Sequence, residues 1–147
     1  MMIREERHLT VPGRFESLAR ISEFVTAAAE SAGLAEDDVF HVEMAVDEAC
    51  SNVIEHAYSR QSGNIELTCT DDESGIFEVV IIDHGQSFDP AAIPQPASIE
   101  PEQLDILQEG GLGLYFMRKL MDEVRFEFVP GNGNRLVMIK HYPAHSA

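Results

Sequence analysis

The hydrophobic period of this 147-residue chain changes near residue 60, and that change restricts the possible folds more than any other feature. Before it, apolar residues recur at helical spacing along residues 15–32 and 36–58, which predicts two amphipathic helices. After it, apolar and polar residues alternate along residues 64–70, as in a half-buried strand. The nearly all-apolar run at 76–82 predicts a central strand that is covered on both faces. The chain therefore needs a layer of helices packed on a sheet.

Shorter patterns complete the order of elements. Residues 3–11 have the pattern of a strand, and a glycine-rich turn opens a helix at 110–121. The sequence Gly-Asn-Gly-Asn at 131–134 joins two predicted strands, 124–129 and 135–141, in a hairpin. The resulting order, β-α-α-β-β-loop-α-β-β, predicts an α/β two-layer sandwich. Its sheet is expected to be mixed and mostly antiparallel, with the helices on one face.

Composition limits the domain count and the class of partner. The chain has 10 Lys and Arg residues against 26 Asp and Glu residues, a net charge of −16. An apolar fraction of 44% is enough for one core, and the length predicts a single domain over residues 1–147. The negative charge repels phosphate groups, so neither nucleic acid nor a membrane surface is expected as a direct partner. Cys50 and Cys69 lie on predicted apolar faces, which indicates buried, reduced thiols and a cytoplasmic protein.

Glu48 and Asn52 form the first candidate site. Their spacing of four places both side chains on one face of the second helix. A carboxylate beside an amide can hold Mg²⁺ through oxygen atoms, or the carboxylate can act as a general base. Taken alone, an ordinary solvated helix face explains the pair more simply.

Asp83 and Gly85, at the end of the apolar strand, form the second candidate site. A carboxylate there can accept a hydrogen bond from an amino group such as that of adenine. The glycine allows a flat ring to approach the backbone. An ordinary Asp-x-Gly turn is the alternative.

Gly110, Gly111 and Gly113 open the last predicted helix and form the third candidate site. Free backbone N–H groups at a helix N-terminus bind anions. The spacing is neither that of a Walker A loop nor that of a Rossmann fingerprint. A hinge with a capped helix remains the alternative. The proline-rich segment 86–108 that precedes the glycines is long for a connection and predicts a lid or binding loop.

In order and spacing, the three sites resemble the nucleotide-binding boxes of the GHKL ATPases. Residues 48–58 (EACSNVIEHAY) are similar to the N box, 83–85 (DHG) to the G1 box and 110–114 (GGLGL) to the G2 box. More narrowly, EACSNVIEHAY, DHGQSFDP and GGLGLYFMRKLMDEV look like the anti-sigma-factor serine/threonine kinases of bacteria. The likeness covers about residues 3–141.

This resemblance implies an ATP site between the helices and the sheet, with segment 86–108 as its lid. Asn52 would ligate Mg²⁺, and Glu48 would be the general base. Asp83 would bind the adenine amino group, and Gly85 would leave room for the ring. The other residues implied in nucleotide binding, around the phosphates, are Gly110, Gly111, Gly113 and Leu114.

The implied reaction moves the γ-phosphoryl group of ATP to a serine or threonine of an antagonist, an anti-anti-sigma protein. In an alternative complex the same molecule would sequester a sigma factor. The family typically dimerises, and in some members an arginine on the first helix contacts the partner. Arg20 occupies the matching position here.

Competing functions remain open at this point. Glu48 favours a kinase. Residues 86–117 contain no Lys or Arg, and Glu109 stands where some family members place an arginine beside the glycines. That feature favours a non-catalytic, nucleotide-dependent partner-binding switch. The ATPase half of a histidine kinase fits less well, because the chain leaves no room for a phosphoacceptor helical hairpin.

Overall fold

The computed structural model describes residues 3–57, 63–85, 112–129 and 133–143. The predicted lid and two of the predicted phosphate-binding glycines, Gly110 and Gly111, lie outside these residues. The described helices and strands, in chain order, are β1 (Ile3–Pro12), α1 (Leu18–Ala32), α2 (Glu36–Asn52), β2 (Asn64–Asp72), β3 (Ile76–Asp83), α3 (Leu112–Leu120), β4 (Glu123–Val129) and β5 (Gly133–His141).

The five strands form one sheet in the order β1-β2-β3-β5-β4. Each neighbouring pair of these described strands is antiparallel. The mostly antiparallel sheet expected from the sequence is confirmed, and the parallel pair that a mixed sheet would contain is absent among the described strands. β3 is central, which confirms its predicted place. The register of β3 with β5 sets Asp83 opposite Asn134, so the end of one strand and the start of the other meet at one edge.

The helices pack on one face of the sheet and enclose the main core. The predicted apolar sides of α1 and α2 face alternate residues of the strands, which confirms the two-layer α/β sandwich. The largest fully buried apolar side chains of the described residues are Phe77, Ile21, Ile65, Leu67, Ile81, Met138, Val25, Val42, Val46, Val79 and Val137. Of these, Val137 belongs to a second cluster rather than to the main core.

The apolar run of β3 contributes to both faces of the sheet, as predicted. Val80 is buried with Val137 and Ile139 in this second, smaller cluster, against which Ile76 and Ile82 pack. Because strand residues alternate between faces, Val80 points away from the helices, whereas its neighbours point toward them. β3 is therefore apolar on both faces because one face packs in the main core under the helices and the other packs in the second cluster.

The ends of the first two helices follow local sequence signals. Gly33 ends α1 with a φ of 96°, a left-handed conformation that glycine adopts without strain, so the predicted cap is confirmed. Three acidic residues occupy the first turn of α2, where the helix dipole stabilises them. The predicted extension of this helix toward residue 58 takes another form, a π-helical segment at Val53–Ala57. π-helical turns occur often at functional sites, and this one starts directly after Asn52.

Both cysteines are unpaired and buried, as predicted. Burial raises the pKa of the Cys69 thiol to about 12, so this thiol stays protonated at neutral pH. No helix among the described residues is long and apolar enough to cross a membrane.

Candidate nucleotide-binding site

α2 and α3 pack against each other and bring the first and third predicted sites together. A Cβ atom added to Gly113 would lie 2.3 Å from Glu48 Oε1 and 2.8 Å from Asn52 Nδ2. Both distances are shorter than any real Cβ contact. A side chain at position 113 would therefore have to displace the flexible ends of two α2 side chains.

This contact has the chemistry of a site for Mg²⁺ and phosphate, and we call it the phosphate end. Gly113 lies in the first turn of α3, where backbone N–H groups have no partner within the helix. Glu48 and Asn52 offer a carboxylate and an amide oxygen, which are ligands that Mg²⁺ accepts. Within the described stretches of chain, no cluster of three His, Cys, Asp or Glu side chains could hold a metal alone. The donor set fits an ion that shares its ligands with substrate phosphates.

Asp83 and its neighbours form a second, separate arrangement. We call it the base end, after the adenine base that the resemblance assigns to it. Asp83 is buried at the end of β3. Its Oδ1 accepts hydrogen bonds from the Gly85 backbone N–H and from Asn134 Nδ2, both at 2.9 Å. Asn134 Nδ2 also donates to the Gly85 carbonyl oxygen at 3.2 Å. Oδ2 forms no hydrogen bond within the described residues, so it can accept one from a ligand.

Gly133 permits the close approach of β5 to Asp83. Its φ is +86°, and an added Cβ would lie 2.3 Å from the Asp83 carbonyl oxygen and 2.6 Å from His84 Nδ1. The sequence singled out Gly133 and Asn134 only as parts of a hairpin turn. Their contact with Asp83 depends on the register of β3 and β5, which no local pattern contains.

Asp83 lies on the face of β3 that packs against the helical layer. Burial raises the pKa of the Cys50 thiol, and the charges of Asp47 and Asp83 raise it further. Asp83 shares the helix-facing side of β3 with Ile81, which is buried in the same core as Cys50. Asp83 thus faces the helical layer that carries Glu48 and Asn52, and one site spanning both ends stays a prediction.

Two other predicted site residues have a clear place. Leu114 is buried in the core, so its backbone alone remains for contact with a ligand. Arg20 is exposed on α1. The roles of both residues stay predictions.

The chain matches the family of histidine kinase-like ATPase domains over residues 11–140. A protein named serine-protein kinase RsbW from Halalkalibacterium halodurans is 35% identical over 140 residues, which cover 92% of this chain and 83% of that protein. The protein of the same name from Bacillus licheniformis is 35% identical over 126 residues, covering 82% and 76%.

Solved structures show the same fold. The RsbU and RsbW domains of a Mycobacterium tuberculosis protein match with a TM-score of 0.68 at 17% identity, over 96% of this chain and 33% of that one. The histidine kinase domain of a blue-light activated kinase from Erythrobacter litoralis matches with a TM-score of 0.53 at 20% identity, over 86% and 59%. Fold, family model and relatives agree, and the chain belongs to the histidine kinase-like ATPase family.

Proposed function

We propose that this protein is an ATP-dependent serine/threonine protein kinase. It phosphorylates an antagonist, an anti-anti-sigma protein, and in an alternative complex it sequesters a sigma factor. The observation that carries the proposal is the contact of Glu48 and Asn52 with Gly113, which sets a base and oxygen ligands beside a helix N-terminus. Relatives named serine-protein kinase, at 35% identity over most of the chain, support the choice of reaction.

Asp83 recognises adenine in this proposal. Its Oδ2 accepts a hydrogen bond from the exocyclic amino group, while Gly85 and Asn134 hold Oδ1. Gly85 carries no side chain that would obstruct the ring. Guanine has an oxygen where adenine has the amino group, so the same carboxylate discriminates against GTP.

Glu48 acts on the acceptor hydroxyl. The serine or threonine oxygen attacks the γ-phosphorus, the bond from that phosphorus to the bridging oxygen breaks, and ADP leaves. Glu48 accepts the hydroxyl proton as the new bond forms. Backbone N–H groups of Gly110, Gly111 and Gly113 bind phosphate oxygens. Asn52 would hold Mg²⁺, which neutralises phosphate charge when bound.

The finer parts of the proposal stay predictions. Chain length predicts a single domain over residues 1–147. The family implies a lid at 86–108, a backbone contact from Leu114 to the phosphates, a homodimer, and a partner contact through Arg20. The exposure of Arg20 is compatible with such a contact. The two buried, unpaired thiols support a cytoplasmic location.

A second candidate function is a nucleotide-dependent switch that binds its partner without phosphorylating it. The absence of Lys and Arg from residues 86–117 favours it, because no cation from that stretch can offset the charge on the transferred phosphoryl group. In a kinase of this sequence, Mg²⁺, backbone N–H groups or a partner residue must offset it instead.

The test is to incubate the purified protein with Mg·ATP and a purified anti-anti-sigma protein from the same organism, and to measure the mass of that second protein. The kinase predicts a gain of one phosphoryl group on a serine or threonine, with ADP formed in equal amount. Incubation with ADP is the control. Stable binding of the antagonist without any mass gain would instead identify the switch.

A further inference from the structure

Large apolar side chains are exposed on one part of the helical layer. Phe40 and Met44 of α2 are 56% and 46% exposed, and Phe116 of α3 is 53% exposed. Elsewhere in the described residues, large apolar side chains with similar exposure are Ile3 and Phe15. Single exposed apolar residues are common on protein surfaces, but neighbouring ones indicate a binding surface.

Helical spacing connects these side chains with the phosphate end. Phe40, Met44 and Glu48 follow one another at intervals of four and form one stripe along α2. Glu48 approaches Gly113, and Phe116 lies about one turn after Gly113 on α3. The nearest of these exposed apolar residues are therefore about one helical turn away from Glu48 on α2 and from Gly113 on α3.

The packing of α2 and α3 brings the turn that carries Phe116 level with the turn that carries Met44. At the far end of the helix pair, Lys140 Nζ donates to the Leu120 carbonyl oxygen at 2.6 Å and lies 3.4 Å from His41 Nδ1. Residues 41–48 of α2 thus run antiparallel to residues 113–120 of α3. Midway along the two stretches, the turn of Met44 faces the turn of Phe116.

Acidic residues flank the apolar stripe of α2. Asp37 precedes Phe40 by three residues, and Asp47 follows Met44 by three. Both are exposed, and neither forms an ion pair with any described residue. A complementary partner has apolar side chains next to Lys or Arg. The same face of a second copy fits poorly, because it would set Asp37 and Asp47 against further acidic residues rather than against Lys or Arg.

We propose that Phe40, Met44 and Phe116 form a docking surface for the phosphoacceptor protein. The acceptor places apolar side chains on this surface and basic side chains against Asp37 and Asp47. Its serine or threonine then extends past Met44 toward Glu48. This inference rests on the proposed kinase function, and it names how the protein substrate is held rather than how phosphate moves.

The test compares binding of a purified anti-anti-sigma protein from the same organism to four variants by isothermal titration calorimetry. We expect the double variant Phe40→Ala/Met44→Ala to lose at least ~10-fold in affinity and Phe116→Ala to lose roughly 3–10-fold. Asp37→Lys should weaken binding at low salt and less so at high salt. Phe15→Ala is the matched control, since Phe15 is exposed to a similar extent before α1, and its affinity should equal that of the wild type. All four should bind ATP like the wild type.

Equal antagonist affinity in every variant would overturn the docking surface, as would a wild type that does not bind the antagonist. A change in self-association, measured by sedimentation, with unchanged antagonist affinity would show a contact between copies and would also overturn it. If the variants lose binding but the wild type transfers no phosphate, the docking surface stands and the kinase proposal fails. If the wild type transfers phosphate and the variants bind normally, the kinase stands and the docking surface fails.

Discussion

The two ends of the candidate site are built from different interactions. At the base end, Asp83 is buried, and two hydrogen bonds from neighbouring backbone and strand groups fix its Oδ1. At the phosphate end, Glu48 and Asn52 are only half buried. Neither side chain forms a hydrogen bond within the described residues, and both meet Gly113 by close packing.

This difference separates recognition from chemistry. A carboxylate held by two hydrogen bonds cannot rotate without breaking them, so under the proposed function the base end would be ready for adenine before the nucleotide arrives. Glu48 and Asn52 have no such bond to a described residue, and under the proposed function phosphate and Mg²⁺ would supply their partners. We therefore expect substitutions at the base end to change which nucleotide binds. Substitutions at the phosphate end should change how the phosphates are held and how fast phosphate is transferred.

The largest expected effect is that of Glu48→Gln on catalysis. The substitution keeps the size of the side chain and removes its ability to take a proton. General bases contribute ~10²–10⁴-fold, so phosphate transfer should slow at least ~10²-fold while ATP affinity stays close to that of the wild type. Single-turnover transfer to the antagonist measures the rate.

Glu36→Gln is the matched control for this prediction. Glu36 is an exposed carboxylate in the first turn of the same helix and far from Gly113. Its variant should transfer phosphate at the wild-type rate. A Glu48→Gln protein that does the same would show that Glu48 is not the base.

Asp83→Asn should have the next largest effect, on the choice of nucleotide. The substitution replaces a charged acceptor, and hydrogen bonds to charged groups contribute about 1.5–3 kcal/mol. ATP affinity should fall at least ~10-fold, and the preference for ATP over GTP should shrink. Glu78→Gln, on the opposite face of the same strand, is the control and should change neither value. An unchanged preference for ATP over GTP in Asp83→Asn would show that Asp83 does not recognise adenine.

The same substitution at two glycines should give opposite results. In Gly133→Ala the new Cβ meets the Asp83 carbonyl oxygen, and a φ of +86° is unfavourable for alanine. The free energy of unfolding should fall by about 1–2 kcal/mol or more. In Gly113→Ala the Cβ meets only the movable ends of Glu48 and Asn52, so stability should change by less than ~1 kcal/mol. Urea denaturation measures both, and equal losses would contradict the contrast.

Asn134→Ala should have the smallest of these effects. It removes the donor that orients Asp83, and a neutral-donor hydrogen bond contributes about 0.5–1.5 kcal/mol, so ATP affinity should fall roughly 2–10-fold. Asn134→Asp should weaken ATP binding further, because two carboxylates would then face each other. An Asn134→Asp variant that binds better than Asn134→Ala would argue against a positioning role.

The sequence predicted most of the fold because its signals are local. Hydrophobic period identified the helices and strands, and Gly33 marked the end of α1. The segment Val53–Ala57 was predicted as a continuous α-helix, since apolar spacing does not distinguish a π-helical turn from an α-helical one. The wholly antiparallel sheet depended on how the chain returns through α3 and β4, which no local pattern encodes.

The site was predictable only in part, for a related reason. Family motifs identified Glu48, Asn52, Asp83 and Gly113. The structure brings Glu48, Asn52 and Gly113 together and sets Asp83 at the end of β3, opposite Asn134. Asn134 has no motif of its own and gains its contact from the pairing of β5 with β3. Strand register decides such a contact, and register is a property of the whole sheet.

The central claim, that one nucleotide spans two independently built ends, is tested most directly by titrating adenosine and ATP into Asp83→Asn and Gly113→Ala. Adenosine has the base but no phosphates, so it reports on the base end alone. We predict that Asp83→Asn weakens both ligands at least ~10-fold, whereas Gly113→Ala weakens Mg·ATP and leaves adenosine affinity at the wild-type value. Equal loss of adenosine and ATP affinity in Gly113→Ala, or full adenosine affinity in Asp83→Asn, would contradict the account.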